Sequence, residues 1–267
     1  MSNLALRVLT AVVALPLVGA LIAWREPMGF GFFVIVIAGL ALTEYVGMTL
    51  SDARGRLRIA IVAIGLALGT AVYLRPELAL IWVLGAVMAA ATAVLLQPGD
   101  VATSGPRLGV AGFGVLYLGL LPVSLALLHR DAANGPLWVC VAIATTFGND
   151  TGAYFAGRAL GRHKLYPAIS PAKTVEGAVG GLVAAVGLML LGHFTVAPTL
   201  TLADCFLVGV PASIVGPIGD LVESMIKRSA GVKDSGKLLP GHGGMLDRID
   251  ALLFVSAWTY AYVIHLR

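Results

Sequence analysis

Nine apolar stretches run along the chain, separated by short polar breaks: Leu4–Trp24, Met28–Leu50, Leu57–Leu74, Leu78–Leu96, Leu108–Leu128, Pro136–Gly157, Thr174–Phe194, Leu202–Ile226 and Leu246–Leu266. A helix rising about 1.5 Å per residue crosses roughly 30 Å of hydrocarbon in about 20 residues. The pattern therefore predicts an all-α, polytopic integral membrane protein with about nine transmembrane helices. Only Arg75-Pro76-Glu77 and its neighbours part the third stretch from the fourth, which predicts a tight hairpin. The first stretch has a weak positive start and no clear cleavage site, so a membrane span is expected there and not a secretory signal. No repeat, low-complexity tract or soluble domain interrupts the series. The expected organisation is five spans in residues 1–130, a possible lipid-entry or dimer region, followed by residues 131–267 with polar loops at 158–173 and 227–248.

Composition agrees with that pattern. The chain is 58% hydrophobic and only 12% charged, where soluble domains carry about 25% charged residues. A soluble protein is excluded on this ground. The net charge of +4 matters less than its placement. With nine spans, fourteen of the eighteen Lys and Arg residues fall on the side of the N-terminus and the even-numbered loops, leaving Arg25, Arg75, Arg130 and Arg267 opposite. Lys and Arg favour cytoplasmic loops, so the N-terminus and both polar loops are expected to face the cytoplasm of a bacterial-type inner membrane. Cys140 and Cys205 lie in apolar runs without metal-ligand spacing and are expected to be small buried hydrophobes.

Ionisable groups inside spans are costly and mark function by default. Asp150 precedes Arg158 by eight residues and Asp220 precedes Lys227 by seven, placing each about 10–12 Å from a cytoplasmic helix end. Asp220 and Glu223 share one helix face at i, i+3, and Asp247 and Asp250 share another. Two such pairs offer the hard oxygen ligands that Mg²⁺ takes. A structural alternative is Glu223 paired with Lys227 at i, i+4. Glu44, with no local motif, is expected to pair with a nearby base.

Three polar segments add cations and glycines. The loop after Glu223 carries Lys227, Arg228, Lys233, Lys237 and Arg248 around Gly241-His242-Gly243-Gly244. Cations beside carboxylates suit a polyanion bound together with a metal, and glycines admit phosphate close to backbone N–H groups. Fixing topology alone is the simpler reading of such a loop. In Ser170-Pro171-Ala172-Lys173, Ser170 reads as a helix N-cap, Pro171 as its first residue and Lys173 as a first-turn cation at an anion site. In Gly148-Asn149-Asp150-Thr151-Gly152, the glycines suit close helix packing, whereas Asn149 and Asp150 suggest a site.

The run Ser224–Asp250, "SMIKRSAGVKDSGKLLPGHGGMLDRID", resembles the C-terminal motif of phosphatidate cytidylyltransferases (CDP-diacylglycerol synthases). The upstream "NDTGAYFAGRALGRHKL" and "ISPAKTVEGAVGG" also resemble segments of that family. Ala172 departs from it, since the family often has a second lysine before the position of Lys173. The resemblance implies transfer of a cytidylyl group from CTP to phosphatidate, with Mg²⁺ as cofactor, a homodimer, and a metal centre at Asp220 and Asp247 that can include a monovalent cation such as K⁺. The expected catalytic residues are Asp220, Asp247, Asp250, Lys227 and Arg248, with Asp220, Asp247, Asp250 and Glu223 as metal ligands. Asn149, Asp150, Ser170, Lys173, Arg228, Lys233, His242, Gly243 and Gly244 are the expected substrate-binding set. The partners expected are CTP, phosphatidate, the bilayer and a second copy, with no nucleic acid. The alternatives are a related lipid nucleotidyltransferase with another acceptor and an ion-coupled transporter. Against the transporter, the carboxylates gather near one face, away from the midplane.

Overall fold

The computed structural model describes residues 12, 16–24, 26–51, 53, 55–97, 100–238, 241 and 243–267. Its helices are α1 (Pro27–Thr49), α2 (Gly55–Leu74), α3 (Ala79–Leu95), α4 (Val101–Asp131), α5 (Gly135–Leu160), α6 (Val175–Thr195), α7 (Leu202–Ser229) and α8 (Leu246–Ala261). A 3₁₀ turn, Pro76–Leu78, joins α2 to α3, and a π turn, Tyr262–Leu266, ends the chain. Among the described residues, seven helical segments are long and apolar enough to cross a membrane. Helix α5 has 26 residues and so the length to cross, but Asp150 and Arg158 make it more polar. The stretch Leu4–Trp24 lies mostly outside the described residues, and its residues 16–23 are helical. The expected all-α, multi-span architecture is therefore found.

The chain forms two compact units, Met1–Leu127 with Ser229–Arg248, and Leu128–Arg228 with Ile249–Arg267. In the first, helices meet through glycines and tyrosines. Tyr45 donates to the Val110 carbonyl at 3.0 Å, and Tyr73 donates to the Pro27 carbonyl at 2.8 Å. A Cβ on Gly119 would stand 2.8 Å from the Gly65 carbonyl oxygen, so α2 and α4 touch backbone to backbone there. Without a hydrophobic driving force inside lipid, close packing of this kind is what holds membrane helices together.

In the second unit, α5 lies against α6. A Cβ on Gly152 would come 2.7 Å from the Gly180 carbonyl oxygen. Helix α7 approaches α8 at Gly219, where a Cβ would stand 2.6 Å from the Asp250 carbonyl oxygen and 2.8 Å from the Phe254 ring. At the far end of α7, buried Asp204 accepts from Tyr262 Oη at 2.8 Å, Arg267 Nε at 3.0 Å and the Thr201 N–H at 2.7 Å. A buried carboxylate needs such donors, and these tie the chain's last residue to the start of α7.

Three expectations change. Residues Lys164–Tyr166 and Ser170–Thr174 form an antiparallel hairpin, β1 and β2, inside the loop before α6. Ser170 is consequently not the N-cap. Thr174 is extended at φ −128°, ψ 156°, and its side chain accepts from the Gly177 N–H. Thr-Val-Glu-Gly offers the same cap signature four residues later, and strand pairing keeps Ser170 and Pro171 extended. Lys173 accordingly sits in β2, just before the cap, and outside the first helical turn. Finally, Cys205 is buried but Cys140 is exposed, which in a membrane span costs nothing because lipid is as apolar as a core.

Candidate metal and phosphate site

The second unit gathers three carboxylates. Asp220 and Glu223 lie one turn apart on α7, and Asp250 opens α8. One oxygen from each lies within 4.8 Å of the others. Glu223 is fully buried, whereas Asp220 and Asp250 are half-buried. Like charges this close need cations. Lys173 Nζ, reaching from β2, lies 2.8 Å from Asp220 Oδ2 and donates to the Pro217 carbonyl at 3.3 Å. Lys227, one turn after Glu223, forms an ion pair with it. Ser224 Oγ donates to Asp220 Oδ1 at 3.2 Å.

Asp150 on α5 adds a fourth carboxylate within electrostatic reach of Asp220, Lys173 and Asp250. Four carboxylates facing two lysines leave a formal excess of two negative charges, which one divalent cation balances. Hard oxygen donors, with no sulfur or imidazole among the described residues of the cluster, fit Mg²⁺ in preference to zinc. On geometry and charge, these residues suit the ion.

Asn149, beside Asp150, is buried, and its Oδ1 has no hydrogen-bond partner among the described residues. That oxygen packs against Gly181, where a Cβ would lie 2.5 Å away. Ser170 begins β2 and is half-buried. At the other end of the hairpin, Glu176 Oε2 accepts from the Arg162 and His163 N–H groups at 3.1 and 3.2 Å, which fixes the entry into α6. Arg228 closes α7 on an exposed position.

The first unit holds the remaining predicted residues. Asp247 Oδ2 accepts from the Ser235 N–H at 2.9 Å, Ser235 Oγ at 3.0 Å and the Gly244 N–H at 2.8 Å. Gly243 adopts φ +79°, a left-handed conformation that suits glycine and turns the loop into α8. Lys233 and Arg248 are exposed, and His242 lies outside the described residues.

The residue that sequence reasoning missed is Glu44. Among the described residues it is paired with no base. Its carboxylate accepts from the Met245 and Leu246 N–H groups at 2.9 and 3.0 Å and from Ser235 Oγ at 3.0 Å. Its partners lie about 190–200 positions away in the chain, so no local signal marks it. The nearest clue was the glycines themselves. A Cβ on Gly236 or Gly244 would collide with the Glu44 carboxylate.

The cytidylyltransferase family model matches residues 5–266 of this chain. The chain belongs to the cytidylyltransferase family. Among its relatives, the phosphatidate cytidylyltransferase of Brucella suis biovar 1 (strain 1330) is 37% identical over 268 residues, covering 98% of this chain and 94% of the relative. That of Staphylococcus haemolyticus (strain JCSC1435) is 34% identical over 252 residues, covering 93% and 95%. The similarity thus spans the N-terminal helices as well as the cluster.

Proposed function

We infer that this membrane protein transfers a cytidylyl group from CTP to phosphatidate, forming CDP-diacylglycerol and pyrophosphate. The observation that carries the reading to particular side chains is the Asp220, Glu223 and Asp250 cluster, flanked by Lys173 and Lys227, in a chain of the cytidylyltransferase family. An oxygen of the lipid phosphate attacks the α-phosphorus of CTP, a new P–O bond forms, and the bond to pyrophosphate breaks. Both reactants are anionic, so repulsion is the main obstacle. Mg²⁺ held by the cluster's carboxylates would supply positive charge to offset that on the phosphoryl oxygens and on the leaving group.

Asp220 and Asp250 are its proposed ligands, with Glu223 shaping the buried side. Asp247, one turn before Asp250 on α8, joins them through the family resemblance, which also allows K⁺ nearby. Lys173, held beside Asp220, would offer its ammonium to a phosphate oxygen. Lys227, Arg228, Lys233 and Arg248 supply further positive charge, His242 and Gly243 supply N–H donors, and Gly244, whose own N–H is held by Asp247, leaves room for phosphate. Asn149, Asp150 and Ser170 border the nucleotide. No general base is required, because a phosphate monoester is already largely ionised near neutral pH.

We further propose that catalysis belongs to residues 131–267 and that residues 1–130 serve lipid entry or dimer contacts. The site faces the cytoplasm of an inner membrane, as the Lys and Arg distribution supports, and two copies associate, as the resemblance supports. Purified protein given labelled CTP and phosphatidate in mixed micelles should release CDP-diacylglycerol and pyrophosphate in equal amounts, and only with Mg²⁺. Absence of both products, with the lipid dispersed and the protein folded, overturns the reading.

A further inference from the structure

Glu44 presents a carboxylate from the middle of the chain's sequence-distant first half to the start of its last helix. Its two oxygens take the N–H groups of Met245 and Leu246. They are the N–H groups of the residue just before α8 and of its first residue, neither of which has an intrahelical acceptor, and a carboxylate there also meets the positive end of the helix dipole. Most helices cap themselves with a residue from the adjoining loop. This one is capped by a residue about 200 positions earlier.

The Ser235 hydroxyl connects the cap to Asp247. Its Oγ lies 3.0 Å from Glu44 Oε2 and 3.0 Å from Asp247 Oδ2, and it accepts from the Asp247 N–H at 3.3 Å. A hydroxyl carries one proton, so it donates to one carboxylate at a time. Two carboxylates sharing one donor at this distance are held together only because backbone N–H groups surround both. Asp247 Oδ2 has the Ser235 and Gly244 N–H groups, and Glu44 has those of Met245 and Leu246. Glycine at 236 and 244 leaves the space that this arrangement requires.

We propose that Glu44 is a positioning residue for the transfer reaction: through Ser235 and the first turn of α8 it fixes the orientation of the Asp247 carboxylate. Two backbone N–H groups hold Oδ2 and the Ser235 hydroxyl is shared between it and Glu44, so the loop and the cap together fix how the Asp247 carboxylate is turned. Glu44 touches no reactant and works by setting that orientation. The proposal rests on the reading of Asp247 as part of the metal centre.

The test uses full-length protein in nanodiscs and two variants, Glu44→Gln and Ser235→Ala. Glu44→Gln keeps the size but replaces one acceptor oxygen by a donor. Ser235→Ala removes the bridge and the acceptor for the Asp247 N–H but leaves the cap on Met245 and Leu246 intact, so it stays informative if Glu44→Gln fails to fold. Loss of a residue that orients a metal ligand typically costs about 10- to 100-fold in activity or metal affinity. Both variants should therefore lower kcat and raise the Mg²⁺ concentration for half-activation within that range, with the KM for CTP changed far less. The double variant should be no worse than Glu44→Gln alone, because both act through one path.

Hydrogen exchange of the peptide covering residues 235–247 is the arm independent of turnover. It should accelerate by about tenfold in Glu44→Gln. Unchanged exchange overturns the cap. Faster exchange with unaltered kcat and Mg²⁺ dependence overturns the positioning role and leaves a structural one. A wild-type protein that makes no CDP-diacylglycerol overturns the reading of the site, while the exchange result still judges the cap.

Discussion

Lys173 Nζ stands 2.8 Å from Asp220 Oδ2, joining the strand before α6 to a carboxylate inside α7. Both side chains are partly exposed, at 23% and 34%, and an ion pair of that kind adds only about 0–1 kcal/mol to stability. In the proposed reaction its value is chemical: the lysine is held at a proposed metal ligand, within reach of a phosphate bound there.

Lys173→Met should therefore fold and insert normally but lose activity, by about 10²-fold in kcat/KM if the ammonium stabilises charge in the transition state. Lys173→Arg should recover part of that loss, since charge returns without the compact point geometry. Steady-state kinetics on CTP, alongside detergent melting curves, check both halves. A melting shift as large as the kinetic loss would make the pair structural.

Chelation separates the metal from the lysines. Removing divalent cations should abolish turnover, and Mg²⁺ should restore it. Asp220→Asn and Asp250→Asn should each need more Mg²⁺ for half-maximal activity, because each removes one charged oxygen ligand. Titration of activity against free Mg²⁺ measures this, and an unmoved midpoint in either variant removes that aspartate from the metal site.

The spans were legible because hydrocarbon thickness sets helix length, and eight of nine apolar runs reappear as helices within a few residues of their predicted edges, apart from an earlier start for α4. The pairing of Asp220 with Glu223 was legible from i, i+3 spacing, and the meeting with Asp250 from a shared depth. Glu44 was not legible, since its partners are backbone N–H groups at the other end of the sequence. Nor was the cap of α6. Ser170-Pro171 and Thr174-Val175-Glu176 both carry helix-start chemistry, and only the strand pairing of Lys164–Tyr166 decides between them.

That decision is measurable. Thr174→Ala should destabilise the protein by about 1 kcal/mol, the usual loss for a removed N-cap. Ser170→Ala, at the start of β2, should change stability by less than about 0.5 kcal/mol. Reversible unfolding in denaturant, comparing the two, tests the assignment. Equal losses would return the cap to Ser170.

Glu223 and Lys227 give a sharper stability test because Glu223 is fully buried and Lys227 only 12% exposed. Removing the cation takes a charge partner from a buried carboxylate, a change that costs about 3–5 kcal/mol. Lys227→Met should therefore lower stability strongly. Adding Glu223→Gln should restore much of it, since the buried charge is gone. The double variant would remain poorly active, separating folding from catalysis. Two independent, additive losses would show that the pair is not coupled.

The spacing of the cluster depends on Gly219, which bears no charge. A Cβ there would stand 2.6 Å from the Asp250 carbonyl oxygen and 2.8 Å from the Phe254 ring, closer than non-bonded atoms tolerate, and the backbone oxygen cannot rotate away. Gly219→Ala must therefore push α7 from α8. Asp220 and Glu223 move with the first helix and Asp250 with the second, so the oxygens that now lie within 4.8 Å separate. A misplacement of about 1 Å near reacting groups can cost about 10²-fold in rate. Gly219→Ala should accordingly lose activity on that order and need more Mg²⁺, although every ionisable group is retained. Gly187→Ala, on α6 with nothing within 4 Å of its added Cβ, is the control and should keep wild-type kinetics. Equal kinetics for both variants would mean that the approach of α7 to α8 does not set the metal site.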